Sequence, residues 1–202
     1  MNLTPKQEAI VEKSLHLFGQ NGFTETSMND IATAMDMKPA SLYNHIESKK
    51  QILLWICQRV SHRLQELLLE LKNTDTHPFD QFELFLERHI EHTTKYAYEF
   101  KIFSQYRNQL PRAHRVEFLE VHDSYVDHLK HLHKFVITPE NNPDYFPKDY
   151  QAQILISLLE RIPYWSGNTK QTPKEIARQV AHSFLHGFAT PLPSPYQSKG
   201  SQ

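Results

Sequence analysis

The chain has 202 residues, 22 Lys and Arg against 23 Asp and Glu, and 39% hydrophobic residues, which excludes a disordered or fibrous protein. Its longest apolar run, Ile52 to Cys57, has six residues, whereas a membrane span needs about 20. The charged N-terminus is unlike a signal peptide. The single cysteine excludes an intramolecular disulfide and a multi-cysteine metal cluster. We therefore expect a cytoplasmic protein with no membrane attachment.

Charge is distributed unevenly along the chain, although the formal net charge is only -1. Residues 1–37 hold two Lys against five acidic residues, whereas residues 38–63 hold five Lys and Arg against one Glu. A local positive stripe is what phosphate binding requires, and the net charge of a whole chain does not reveal it. The alternative is an ordinary solvated surface.

Apolar side chains recur at three- and four-residue spacing through most of the chain, which predicts an all-α fold. Thr4 is a typical N-cap, and Pro5 suits the first position of the helix that follows. That helix ends near Gly22. Ser27, with Asp30 three residues later, caps a short second helix that ends near residue 35.

Pro39 opens a third short helix that we expect to reach about Ile46, and Ser48 caps a long fourth helix over 48–72. Two short helices joined by a tight turn indicate a helix-turn-helix. The second of them must stand clear of the core to enter a DNA major groove. The spacing predicts further helices at 78–95, 97–109, 111–136, 148–165 and 173–189, with a proline-rich loop at 137–147.

The stretch GFTETSMNDIATAMDMKPASLYNHIESKKQIL (residues 22–53) resembles the N-terminal domain of the TetR family of bacterial transcriptional regulators. The matching positions are Gly22-Phe23, Thr26-Ser27, Asp30-Ile31-Ala32, Leu42-Tyr43, His45 and Ser48-Lys49. The resemblance implies an all-α protein of about nine helices. It implies an N-terminal three-helix DNA-binding domain with a helix-turn-helix over residues 1–50, and a C-terminal helical ligand-binding and dimerisation domain over residues 51–190. We expect residues 191–202 to be a disordered tail.

Three positions depart from the family pattern. Asp36 stands where the family usually has Gly, and Asp is one of the few residues that tolerate the positive φ of such a turn. We therefore expect an intact turn at a small cost in stability. Lys38 stands where many members have a capping Ser or Thr, so the third helix lacks a cap. Ile46 replaces the usual Phe, which changes only the packing.

Carried over residue by residue, the resemblance implies contacts to DNA from the turn and the third helix. Base contacts are implied for Lys38, Pro39, Ala40, Tyr43 and Asn44. Backbone contacts are implied for Thr26 or Ser27, Tyr43, His45 and Lys49. The chemistry agrees independently for Ser27 and Lys49, because a helix N-terminus and an ammonium both suit phosphate. The alternative for each residue is a solvated polar side chain or a helix cap.

Aromatic residues are concentrated between residues 79 and 165. Such side chains either fill a core or line a cavity for an apolar ligand. The TetR family binds inducers in this domain, so the resemblance favours a cavity. The candidate ligand-binding residues are Phe82, Phe85, Phe103, Tyr106, Tyr125 and Trp165.

A second, shorter resemblance lies in ERIPYWSGNTKQTPKEI (residues 160–176). It is similar to a stretch in TetR-type regulators of fatty-acid and steroid catabolism, whose inducers are acyl-CoA thioesters. The Trp-Tyr order of that stretch is inverted here at Tyr164-Trp165. This resemblance implies a small apolar or acyl-CoA-like inducer. We also expect the last two helices to pair with their copies in a homodimer.

Histidine pairs with helical spacing raise the question of a metal site. They are His89 and His92, His128 and His131, and His182 and His186. Such pairs arise by chance in a chain with 13 His, and a site without cysteine needs three converging ligands. We therefore expect no metal, with a regulatory metal as the alternative.

Catalytic motifs are not found. There is no nucleophile elbow, no glycine-rich phosphate loop and no supported pair of carboxylates, so we expect neither an enzyme nor a cofactor. The sequence predicts a ligand-responsive, sequence-specific DNA-binding regulator, a repressor that an inducer releases from a palindromic operator in double-stranded DNA. The alternative is an all-α small-molecule carrier or interaction module without specific DNA binding.

Overall fold

The structure is a computed structural model that describes residues 2–72, 76–136, 148–165 and 170–189. Within these ranges the chain forms nine α-helices, a short 3-10 helix and no strand, which confirms the predicted all-α fold. The α-helices are α1 (Pro5–Asn21), α2 (Met28–Ala34), α3 (Pro39–Tyr43), α4 (Lys49–Lys72), α5 (Pro78–Lys95), α6 (Ala97–Tyr106), α7 (Arg112–Val136), α8 (Lys148–Trp165) and α9 (Pro173–Ala189). The predicted loop at 137–147 and the predicted tail at 191–202 lie outside the described residues.

Two predicted helices are shorter in the structure. The third was expected to reach Ile46, but α3 ends at Tyr43. After it, the amide of His45 donates to the carbonyl of Leu42, a tighter three-residue turn. The sixth was expected to reach residue 109, but α6 ends at Tyr106 and a 3-10 helix (Arg107–Gln109) follows.

The helix starts follow the capping signals in the sequence. Thr4 and Gln7 form a reciprocal capping box at the start of α1. Ser27 and Asp30 form another at the start of α2, where the Ser27 amide donates to Asp30 Oδ2 at 2.7 Å. Hydrogen bonds from the Ser27 backbone and hydroxyl lower the pKa of the Asp30 carboxyl. Both caps were predicted and are confirmed.

The described helices belong to two compact units. One unit is Met1–Glu66 with Lys95–Asp123. Within it α1 packs against α2 and α6, and α2 packs against α3. Its fully buried side chains include Ile10, Phe18, Ile31, Leu42, Ile52 and Ile56. This unit contains the helix-turn-helix.

The other unit is Leu67–Thr94 with Ser124–Gln202. Its apolar core includes the fully buried side chains Phe82, Phe85, Leu86, Ile90, Leu129, Leu155 and Ile162. The predicted functional boundary between residues 50 and 51 differs from this division and stays a prediction.

Asp36 joins α2 to α3 with a φ of 52°, and no other non-glycine residue in the described part of the chain has a positive φ. A residue with a side chain is strained at this φ, and glycine relieves that strain. Glycine also increases the entropy of the unfolded chain, which offsets part of the gain, so Asp36→Gly is expected to raise the free energy of unfolding by about 0.5 kcal/mol. Asp36→Ala is expected to lower it by about 1 kcal/mol, since alanine keeps the strain and loses the polar side chain. Urea unfolding measures both. A glycine variant less stable than the alanine variant would contradict this account of the turn.

Candidate nucleic-acid interface and ligand site

The third helix is anchored by two apolar side chains and exposes the rest of its surface. Leu42 is fully buried and Ile46 is 2% exposed, whereas Tyr43 is 53% exposed. The other predicted base-contact residues are also exposed: Lys38, Pro39, Ala40 and Asn44. A helix that enters the major groove of DNA needs such an exposed face above a buried anchor. That these exposed residues contact bases stays a prediction.

The start of α3 lacks a side-chain cap, as the sequence predicts. Lys38 is the N-cap residue and makes no capping hydrogen bond. Its ammonium is therefore presented at the exposed start of the helix. His45, predicted to contact phosphate, is half-buried just after the helix.

Thr26 and Ser27, the two alternatives for a phosphate contact at the start of α2, differ in exposure. Thr26 is 1% exposed, and its hydroxyl donates to the carbonyl of Gly22 at 2.8 Å. Ser27 is exposed at the N-terminus of the helix. Its hydroxyl donates to Asp30 Oδ2 at 2.7 Å, and its contact to a phosphate stays a prediction.

The Lys49 ammonium lies inside a cage of backbone carbonyls. It donates to the carbonyls of Phe23 at 2.6 Å, Thr24 at 3.0 Å and Thr26 at 2.6 Å, and it lies 4.6 Å from the centre of the Phe23 ring. Burial lowers the pKa of Lys49, against the opposing charges of Glu25 and Asp30. Since an ammonium has three hydrogens, a direct phosphate bond requires one of these contacts to break. In this conformation Lys49 fixes the segment between α1 and α2.

An ion-pair network that the sequence did not reveal joins α1, α4 and α6. Glu99 is 5% exposed and accepts from Arg63 through Nε at 2.7 Å and a second nitrogen at 3.3 Å. It also lies 3.5 Å from Arg59, which pairs with Glu8 and, at 2.6 Å, with Glu12 on α1. We call these five residues the Glu99 network.

The aromatic residues expected to bind ligand fall into two groups. Phe82, Phe85 and Tyr125 are buried in the unit that contains α5, and the Phe85 and Tyr125 rings lie 5.0 Å apart. Phe103 and Tyr106 belong to the unit that contains the helix-turn-helix.

In that unit the Phe103 ring lies 6.5 Å from Phe118, and the Tyr106 ring lies 5.6 Å from Phe23. Trp165 ends α8, and its side chain lies outside the described residues. That these six residues bind one ligand stays a prediction. The aromatic count in the sequence could not separate the two groups.

His89, singled out in the sequence only as a possible metal ligand, is a buried polar residue of the α5 unit. The Tyr125 hydroxyl contacts its Nδ1, and its Nε2 lies 3.4 Å from the Leu159 carbonyl. A neutral ring with the proton on Nε2 satisfies both partners. Burial lowers the pKa of His89 to about 4 and raises that of Tyr125 well above its ordinary value. The neutral pair is a polar point within an apolar interior.

The lowered pKa of His89 predicts a loss of stability in acid. Below its ordinary pKa of 6.5 the unfolded ring binds a proton, whereas the folded ring stays neutral until about pH 4. The contribution of His89 to the free energy of unfolding is therefore fully present above pH 6.5 and is lost as the pH falls toward 4. The control is His89→Gln, whose amide keeps one donor and one acceptor. When the pH falls from about 8 to about 5, the free energy of unfolding of the wild type is expected to fall by about 2 kcal/mol more than that of this variant. Equal pH slopes in urea unfolding would contradict a buried neutral His89.

Metal binding and membrane insertion each require a recognisable arrangement of residues. Among the described residues, no group of three or more His, Cys, Asp or Glu side chains is placed to hold a metal ion. In the same part of the chain, no helix is both long and apolar enough to cross a bilayer.

Comparison with known proteins agrees with this architecture. Residues 10–56 match the family model of bacterial regulatory proteins, tetR family. The negative transcriptional regulator IcaR of the biofilm operon icaADBC of Staphylococcus aureus is 29% identical over 80 residues, which are 40% of this chain and 43% of that protein. The chain therefore matches less than half the length of this relative.

Two further proteins match over most of their length. The transcriptional repressor DhaR of Mycobacterium sp. is 24% identical over 186 residues, 92% of this chain and 91% of that protein. The crystal structure of AibR in complex with isovaleryl coenzyme A and operator DNA has a TM-score of 0.72 at 23% identity, and covers 92% of this chain and 98% of that chain. Residues 10–56, which span the helix-turn-helix, therefore match the TetR family of bacterial regulatory proteins, and the chain shares its fold with the AibR structure.

Proposed function

We propose that the protein is a sequence-specific DNA-binding repressor that acts as a homodimer and leaves its operator when an apolar or acyl-CoA-like inducer binds. The observation that carries the proposal is the exposed surface of α3, with Tyr43 53% exposed beside the fully buried Leu42. A short helix anchored in this way presents side chains and backbone to a major groove. We propose no catalytic activity, and we place the protein in the cytoplasm, where bacterial DNA lies.

DNA recognition divides between bases and phosphates. Lys38 and Asn44 are exposed polar groups suited to base edges, with Lys favouring guanine and Asn favouring adenine. Ser27, at the N-terminus of α2, suits a phosphate. Two copies of α3 about one turn of DNA apart would read an inverted repeat.

Dimerisation is supported by exposed apolar side chains on α8. Tyr150 is 62% exposed and Ile154 is 41% exposed, and they lie one helical turn apart. Other apolar residues expected at the dimer interface, including Leu159 and Ile176, are buried within the chain's own unit. We therefore propose the exposed face of α8 as the part of the bundle that a second copy covers.

The ligand class rests on the interior of the α5 unit and on the relatives. Phe85 and Tyr125 supply aromatic surface, and the neutral His89–Tyr125 pair supplies one polar point. The AibR structure contains isovaleryl coenzyme A with operator DNA, and DhaR is named a repressor. The apolar chain of an acyl thioester suits such an aromatic interior, whereas its carbonyl could be bound only if one of the two hydrogen bonds of His89 opened.

Release from the operator would follow from a shift between two conformations. An inducer lowers DNA affinity only if it binds more tightly to the conformation that fits the operator less well. The coupling is reciprocal, so operator DNA must weaken inducer binding by the same factor.

The inducer is tested by fluorescence anisotropy on an operator recovered by selection. Isovaleryl-CoA and a long-chain acyl-CoA are compared with free CoA and with the matching free acids. A thioester is expected to weaken operator binding at least about tenfold, within the usual range of allosteric coupling, while free CoA has no effect. Equal effects from both thioesters, free CoA and both free acids, or none from either thioester, would reject the acyl-CoA class and leave DNA recognition standing.

A further inference from the structure

We propose that Gln7 is a positioning residue for DNA recognition. Its side chain, on α1, donates a hydrogen bond to the backbone just after α3 and so fixes the orientation of that helix. The inference rests on the proposed DNA-binding function. Gln7 lies outside the residues to which the family resemblance assigns DNA contacts. Its role is to hold the reading helix and not to touch the bases.

Both the oxygen and the nitrogen of the Gln7 side-chain amide form hydrogen bonds. Its oxygen accepts from the Thr4 amide at 3.0 Å, which completes the capping box of α1. Its nitrogen donates to the His45 carbonyl at 3.0 Å, across 38 residues of sequence and in a partly buried position. One side chain therefore fixes the start of α1 and the chain just after α3 to each other.

The third helix depends on such external contacts. It has only five residues, and helices of this length do not hold their shape alone. Its N-cap residue Lys38 makes no capping bond. Leu42 and Ile46 anchor it through apolar packing, which is non-directional. The directional bond to the His45 carbonyl supplies the missing constraint.

Base reading is more sensitive to this constraint than phosphate binding is. A base contact needs aligned donors and acceptors, and a wrong or misplaced one loses discrimination. Phosphate attraction tolerates small shifts because it acts between charges. Loss of the Gln7 bond should therefore reduce the preference for the operator over unrelated DNA more than it reduces binding to DNA in general.

The test measures the affinity ratio between a selected operator and a scrambled duplex of equal length. Gln7→Met keeps the size of the side chain and removes both hydrogen bonds. Thr4→Ala is the matched control, since it weakens the same cap but leaves the Gln7–His45 bond in place. We expect Gln7→Met to lower the ratio about three- to tenfold, the equivalent of one hydrogen bond, and Thr4→Ala to lower the melting temperature with the ratio unchanged.

Gln7→Glu provides a second variant that keeps the cap, because a carboxylate accepts from Thr4 but cannot donate to His45. Its added charge weakens binding to both duplexes alike, so a fall in the ratio again supports the proposal. If both Gln7 variants keep the wild-type ratio, or if Thr4→Ala lowers it as much as they do, the positioning role is overturned. If the wild type itself selects no operator, it is the proposed DNA-binding function that fails.

Discussion

Replacing Tyr43 with alanine is expected to lower operator affinity at least about tenfold, the cost of one lost base contact with its neighbouring phosphate contact. The protein should remain folded. Tyr43 is 53% exposed at the end of α3, and substitutions of exposed side chains usually change stability by less than about 0.5 kcal/mol. Anisotropy titration on a selected operator measures the affinity, and thermal unfolding with size-exclusion chromatography checks the fold and the dimer.

Tyr43→Phe is the matched control for this prediction. It keeps the ring and removes only the hydroxyl, so it separates a hydroxyl contact to phosphate from a ring contact to a base. A phosphate contact predicts a similar loss on operator and scrambled DNA. If Tyr43→Ala binds the operator as the wild type does, the placement of the reading surface on α3 is wrong.

The second large effect is expected in the Glu99 network. Glu99→Ala should lower the free energy of unfolding by about 3 kcal/mol, because the largely buried Arg63 guanidinium loses its carboxylate partner, while Arg59 keeps Glu8 and Glu12. The Glu99 side chain is 6% exposed, and its partners Arg59 and Arg63 are 12% and 22% exposed. Urea unfolding at neutral pH measures the loss.

Glu12 offers a control within the same network. It contacts Arg59 at 2.6 Å, closer than Glu99 does, but its side chain is 60% exposed. Exposed ion pairs contribute less than about 1 kcal/mol, so Glu12→Ala should have a small effect. If the two variants lost equal stability, burial would not be what makes Glu99 important.

The limits of the helices were predictable where the signals were local. Thr4, Ser27 and the prolines act on the residues next to them, so they indicated where α1, α2, α8 and α9 begin or end. The positive φ of Asp36 was expected because the family that the sequence resembles usually has Gly at this turn, and the structure shows it. Caps and turns involve residues within about four positions of one another, which a single sequence displays.

The contacts that hold the candidate DNA interface in place were not predictable in this way. The bonds from Lys49 to the carbonyls near Phe23 and from Gln7 to His45 cross 23 to 38 residues. They have no periodic signal, since a lysine or glutamine on a helix is usually solvated. The end of α3 at Tyr43 carries no local stop signal either, and the Gln7 bond to the His45 carbonyl lies just beyond it.

The interior expected to bind ligand was predictable in composition and not in arrangement. Apolar spacing indicates that Phe85 and Phe103 are buried, but not in which unit. His89 looked like a metal-site candidate by its spacing to His92, whereas the structure pairs it with Tyr125 and the Leu159 carbonyl. A helical spacing reports which residues share a face and not what lies opposite that face.

In vitro selection from a random duplex pool with the purified full-length protein tests the central claim most directly. We predict enrichment of an inverted repeat with half-site centres about one turn of DNA apart, and binding to it that weakens steeply as salt rises. Absence of any enriched sequence at low salt, from folded dimeric protein shown by mass spectrometry to carry no bound ligand, would contradict the claim.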